Sequence, residues 1–191
     1  AALGAPDADV TVLSSAGSAP ASALAAIEAL NRRWPVLLTT ADHALLDRPM
    51  LDHFFAASEA AGADLAVGLA TAGTVLAAYP DAKRTFLRFG PDRVSGCTLY
   101  GLASPRALAA LELWHRLDRD RKRPWRIVRA FGAGALARYA LGLVNLEQAM
   151  ALASRRLGLE ARAVLMPFAN AAVDVDKPED KELVETILRK A

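Results

Sequence analysis

The stretch from Pro35 to Leu46, PVLLTTADHALL, constrains this chain more than any other. Val36-Leu37-Leu38 is short, branched and preceded by proline, the pattern of a strand buried in a parallel sheet. Polarity then rises at once through Thr39, Thr40, Asp42 and His43, and Arg48-Pro49 opens a helical period carried by Met50, Leu51, Phe54 and Phe55. A strand, a polar loop and a helix in that order belong to an α/β sheet, whose ligands lie outside the carboxyl ends of its strands. Asp42 is therefore a candidate binding residue, although an aspartate after a strand also caps helices and closes turns.

The same alternation extends outward. Val10 to Leu13 reads as a short strand, the small-residue loop from Ser14 to Pro20 follows, and Leu24, Ile27, Leu30 and Trp34 recur at helical spacing. Ser18 and Ser22 either cap that helix or line a loop that a ligand approaches closely. Leu65 to Leu69 is a further apolar strand. The βαβαβ order predicts a mostly parallel sheet covered by helices on both faces, a three-layer α/β/α sandwich in a single domain spanning residues 1 to 191.

The middle of the chain departs from this rhythm. Thr71 to Tyr79 reads as a short helix, and Thr85 to Phe89 and Cys97 to Leu102 as strands of a β-ribbon that leaves the sheet. Lys83, Arg84 and Arg88 lie on or beside it, as solvated surface or as the cationic wall of a second-substrate site. From about 105 to 158 the pattern is helical, an inserted region with Asn145 capping its last segment. Between Arg116 and Arg129 stand seven basic and two acidic residues. That run is either a solvated helix end or an anion site, for a substrate phosphate or for weak contact with an acidic membrane surface.

Composition excludes several classes. A net charge of +2 gives no footprint for nucleic acid, and no apolar run reaches the roughly 20 residues of a membrane span. One cysteine, Cys97, cannot form an internal disulfide or a cysteine-built metal site and suits a reducing compartment, so the cytoplasm is the expected location. Nothing in the sequence bears on oligomeric state.

A second acidic feature precedes the last helix. In VDVDKPED, Asp174 and Asp176 alternate with Val173 and Val175, so both carboxylates point to one side of an extended segment. Unpaired, they would repel; a divalent cation holds such a pair, and hard oxygen ligands favour magnesium. The plainer reading is that one of them caps the helix beginning at Pro178.

Together, TTADHALL and PFANAAVDVDKPED resemble the MobA-like nucleotidyltransferases, a Rossmann-related, glycosyltransferase-A-like group that includes molybdenum-cofactor guanylyltransferases and sugar- or polyol-phosphate cytidylyltransferases. The resemblance implies that Asp42 is the catalytic aspartate, binding Mg2+ with the nucleotide phosphates, and that Asp174 or Asp176 completes the metal site. It implies nucleotide contacts at Ser18, Ser22, Thr40 and Asp42, and an acceptor site at Ser95 and Gly96 with Lys83 and Arg84 as phosphate-binding candidates. The family's glycine-rich loop, LAGGxSxRMGxxK, does not occur in this sequence. Relative to the family the chain is therefore expected to be N-terminally incomplete.

The function so implied is magnesium-dependent transfer of a nucleotidyl group, from GTP or CTP, to a phosphorylated small-molecule or lipid-linked acceptor with release of pyrophosphate. A non-catalytic nucleotide- or phosphate-binding domain of the same fold is the alternative from another class. A nucleotide-sugar glycosyltransferase is the third, disfavoured because no Asp-x-Asp closes the first central strand.

Overall fold

A computed structural model describes residues 10–81, 84–119 and 132–189. Its strands are β1 (Val36–Leu38), β2 (Leu65–Thr71), β3 (Leu87–Phe89), β4 (Asp92–Leu102) and β5 (Ala161–Leu165). The helices are α1 (Ala19–Ala29), α2 (Arg48–Ala60), α3 (Ala72–Ala78), α4 (Leu108–Arg119), α5 (Ala133–Ala140), α6 (Leu146–Leu157) and α7 (Pro178–Leu188). Local chemistry starts most of them. Asp47 accepts from the Met50 N–H at 2.9 Å to cap α2, and Asn145 with Gln148 forms a reciprocal capping box on α6.

The sheet runs β1-β4-β2-β5, with β3 on β4. β4 is antiparallel to β1, β2 and β3, while β2 and β5 pair in parallel. Four strands thus share one direction and β4 opposes them. The expected ribbon does not leave the sheet: a two-residue turn at Gly90-Pro91 reverses the chain, and β4 runs back through the centre between β1 and β2. Gly90 has φ 57°, the left-handed region that glycine enters without a Cβ penalty. β4 can occupy the centre because Val94, Cys97, Leu99 and Leu102 are all buried.

Two apolar clusters make the outer layers. Ile27 of α1 and Leu111 of α4 pack with Val36 and Leu102 on one face; Met50 and Phe54 of α2 pack with Ala66, Leu99 and Val164 on the other. The architecture is the α/β/α sandwich that the alternation of elements predicted. Gly68 and Gly101 leave the slot that the Phe54 ring fills, since a Cβ on Gly101 would stand 3.1 Å from Phe54 Cε1. Burial of that ring contributes about 2–3 kcal/mol.

Two expectations fail here. Val10 to Leu13 is not a strand: the segment is irregular and pairs with no strand among the described residues, and Val12 is 90% exposed. Phe55, expected on the buried face of α2, is largely exposed beside the unpaired side of β1. No helix among the described residues is long and apolar enough to cross a membrane.

Candidate functional site

β4 carries β2 along one edge, and on the other edge it pairs with β3 at its start and with β1 at its end. Between those two partners, at residues 95–99, that second edge has no strand among the described residues. The register with β2 also shifts here, between Val67 and Leu69, and Thr98 takes φ 49°. A β-branched residue in the left-handed region costs of order 1–3 kcal/mol, which marks the bulge as a constrained feature. A cavity of about 520 Å³ opens beside this gap, with Ser95, Gly96 and Thr98 on one side and Arg84, Asp174 and Asp176 on another.

The loop leaving β1 brings Asp42 towards the same region. The Thr40 hydroxyl donates to Asp42 Oδ1, and the Asp42 carbonyl accepts from the N–H groups of Ala44 and of Val175, each at 3.0 Å. The second of these bonds joins the two acidic motifs directly. Apolar neighbours hold them in place, since Leu45 from the first motif packs with Val173 from the second and with Val184 of α7. The valines of VDVD thus turn inward, and Asp174 and Asp176 turn the other way, as the alternation predicted.

Asp174 is not unpaired. Arg84, whose side chain is only 10% exposed, donates to Asp174 Oδ1 and to the Ala172 carbonyl, and lies 3.8 Å from Asp180 Oδ1. Arg84 is therefore an internal counter-cation rather than surface solvation. The last helix is capped by neither predicted aspartate. Asp180 performs that role by reaching back, its Oδ2 accepting from the N–H groups of Asp176 at 3.2 Å and Lys177 at 3.0 Å.

His43 lies behind the two acids, 6% exposed, with neither ring nitrogen hydrogen-bonded among the described residues. Burial holds its pKa below the ordinary imidazole value, against the opposing pull of Asp174 and Asp42. Asp176 sits farther along, on the cavity rim.

The donor set can be tested against a divalent ion. Among the described residues no group of three or more His, Cys, Asp or Glu side chains is arranged to hold one. Asp42 and Asp174 each have one carboxylate oxygen committed to a protein donor, and the bond from the Val175 N–H to the Asp42 carbonyl ties their two segments together. Magnesium is commonly bound through one or two carboxylates together with substrate phosphates, so the pair fits an ion that arrives with a nucleotide.

The remaining expected contacts are elsewhere. Ser18 caps α1, accepting from the Ala21 N–H at 3.4 Å, and Ser22 Oγ accepts from the Ala16 N–H at 3.0 Å. No hydrogen bond or ion pair among the described residues connects either serine to Asp42 or Asp174. Arg116 is exposed near the end of α4, whereas Lys83 and residues 120–131 of the basic run lie outside the described residues. Thr98 and the reach-back cap of Asp180 escaped sequence reasoning, whereas His43 stands in the polar loop that the sequence marked. The only local signal for the first was Ser95-Gly96, a pair of poor strand formers inside an apolar run.

The sequence matches no protein-family model and no curated protein. Among solved structures it is similar to a hypothetical transferase from Thermus thermophilus, with 31% identity and a TM-score of 0.76 over 87% of this chain and 70% of that one. Identity at that level across most of both chains, together with the shared transferase-like fold, means that this chain belongs to the same family as the Thermus thermophilus hypothetical transferase.

Proposed function

We propose that this chain acts as a magnesium-dependent nucleotidyltransferase, joining a nucleoside triphosphate, GTP or CTP, to a phosphorylated acceptor. The observation that carries the reading is the bond between the Val175 N–H and the Asp42 carbonyl, which ties the loop at the end of β1 to the acid of the second motif beside an open cavity. Family membership with a hypothetical transferase supports the broader class.

In this reading Asp42 and Asp174 hold Mg2+, which when bound neutralises charge on the triphosphate. Thr40 orients the Asp42 carboxylate through its hydroxyl. Arg84, already on Asp174, keeps that carboxylate from turning away, a positioning role. An acceptor phosphate oxygen forms a bond to the α-phosphorus as the bond to the bridging oxygen breaks, and pyrophosphate leaves with that electron pair. The attacking oxygen is already anionic at neutral pH, so no general base is required, and the buried His43 is read as a structural residue of the loop.

The cavity's charge favours a metal. It is lined by four carboxylates, of Asp174, Asp176, Glu179 and Asp180, against the cations of Arg84 and Lys177. A polyphosphate approaching unaccompanied would be repelled. The competing reading, a binding domain without turnover, draws support from Arg84 occupying the Asp174 carboxylate.

Calorimetry with the four ribonucleoside triphosphates, with and without magnesium, tests the proposal. Binding that requires magnesium and weakens at least tenfold in Asp42→Asn is expected, tenfold corresponding to about 1.4 kcal/mol. Metal-independent binding, or an Asp42→Asn variant that binds as wild type does, would overturn it.

A further inference from the structure

Charge is unevenly divided along this chain. The stretch from Arg116 to Gly158 carries ten basic and three acidic residues, and the rest of the sequence carries thirteen basic and eighteen acidic. A net charge of +2 therefore hides a strongly cationic segment in an otherwise anionic protein. Within that segment α5 has no buried residue, and its end turns apolar side chains to solvent: Leu141 is 72% exposed and Leu143 59%, next to exposed Tyr139 and Arg138. This is not the exposure of a loose end. The N–H groups of Leu141, Gly142 and Leu143 donate to the carbonyls of Ala137, Tyr139 and Arg138 at 3.0, 2.9 and 2.8 Å, and Gly142 takes φ 70°, which closes the helix in a Schellman turn. Such a turn often seats the residue after the glycine on an apolar residue of the last helical turn; Arg138 stands there, and Leu143 is left outward. The Tyr139 ring meets Phe89 of β3 at 5.3 Å, and the Gly142 carbonyl lies against Gly90, so the β3–β4 turn supports the segment from beneath.

We propose that the end of α5 docks on an anionic lipid surface, with Leu141 and Leu143 entering the boundary between headgroups and acyl chains and Arg138 and Tyr139 at the level of the phosphates. Exposed leucines beside cations are what an interfacial segment requires, since apolar burial and attraction to anionic lipid add together. A nucleic acid would answer the charge and leave the leucines in water. A neutral apolar protein face would cover the leucines and leave the charge unused. The contact is a surface one: α5 is 8 residues long, and no helix among the described residues is long and apolar enough to cross a membrane. The basic run expected from the sequence to touch such a surface thus supplies attraction, and the apolar contact belongs to residues 139–143. Nothing in this inference depends on the transferase reading.

Co-sedimentation of the intact chain with vesicles of phosphatidylglycerol or of phosphatidylcholine, without magnesium or nucleotide, tests the proposal. Binding to phosphatidylglycerol is expected to be about tenfold tighter than to phosphatidylcholine, and to fall about fivefold or more at roughly 0.5 M sodium chloride. Leu141→Ser with Leu143→Ser should weaken it about tenfold, because the apolar part of the contact is lost. Leu188→Ser, which removes a comparably exposed leucine from α7, should change nothing. All three positions are exposed, and unchanged thermal unfolding of the variants checks that they fold. No binding to phosphatidylglycerol, equal binding to both lipids, a double variant that binds as wild type does, or an equal loss in Leu188→Ser would overturn the proposal. Tighter binding to single-stranded poly(U) RNA that displaces the vesicles would also overturn it, by giving the cationic segment to a nucleic acid.

Discussion

Replacing Arg84 by methionine keeps most of the side chain's bulk and removes its charge, leaving Asp174 and Asp180 close together with no cation between them. The cost follows from burial. Exposed ion pairs contribute about 0–1 kcal/mol, whereas breaking a fully buried pair costs about 3–5 kcal/mol. Arg84 is 10% exposed, and Asp174 and Asp180 are 24% and 19% exposed, so the trio lies between these limits and nearer the buried one. A loss of about 2–3 kcal/mol is expected for Arg84→Met. With a urea m-value of about 2 kcal/mol/M, that moves the unfolding midpoint down by about 1–1.5 M. Asp174→Asn should cost less, since it leaves Arg84 with Asp180 and the Ala172 carbonyl. In the double variant the losses should fall short of additivity by about 1 kcal/mol or more, as for groups in direct contact. An Arg84→Met loss below about 0.5 kcal/mol, or strictly additive losses, would refute the argument that this guanidinium is an internal counter-cation.

Two further predictions concern the sheet that carries the site. Asp64 accepts from the Glu160 N–H at 2.9 Å and the Ser104 hydroxyl at 2.8 Å, joining the start of β2 to β5 and to the segment after β4, and these bonds with nearby Arg106 hold its pKa below the ordinary 3.8. Its contribution is therefore complete above that value and lost as pH falls through the lower folded-state pKa; Asp64→Asn should cost about 1–2 kcal/mol in urea melts at pH 7, with the gap closing in acid, and a gap that does not change with pH would count against this account. Gly101→Ala places a methyl carbon 3.1 Å from Phe54 Cε1 and should destabilise by about 1–2 kcal/mol in calorimetric melts, partly recovered by Phe54→Leu; a neutral Gly101→Ala would mean that the slot has slack.

Much of the site was readable without coordinates because its signals are local. The abrupt change from Val36-Leu37-Leu38 to Thr39, Thr40 and Asp42 marks a strand end, and period-two alternation in VDVD marks two carboxylates on one side. Both hold in the folded chain, as do the Asn145 cap and the helix opening at Pro178. What the sequence could not disclose is which surfaces meet. Val10 to Leu13 has the composition of a strand, but a strand needs an edge to pair with, and none among the described residues reaches it.

By itself, then, the sequence determined most of the element types, the α/β class and the two acidic motifs, because periodicity and capping depend on residues only a few positions apart. Tertiary structure decided that β4 runs through the centre of the sheet, that its unpaired stretch at residues 95–99 borders a cavity, and that Arg84 sits on Asp174, 90 positions away. Those outcomes depend on pairing register and on the cost of leaving a charge uncompensated away from water, and neither is written in the local pattern of any one segment.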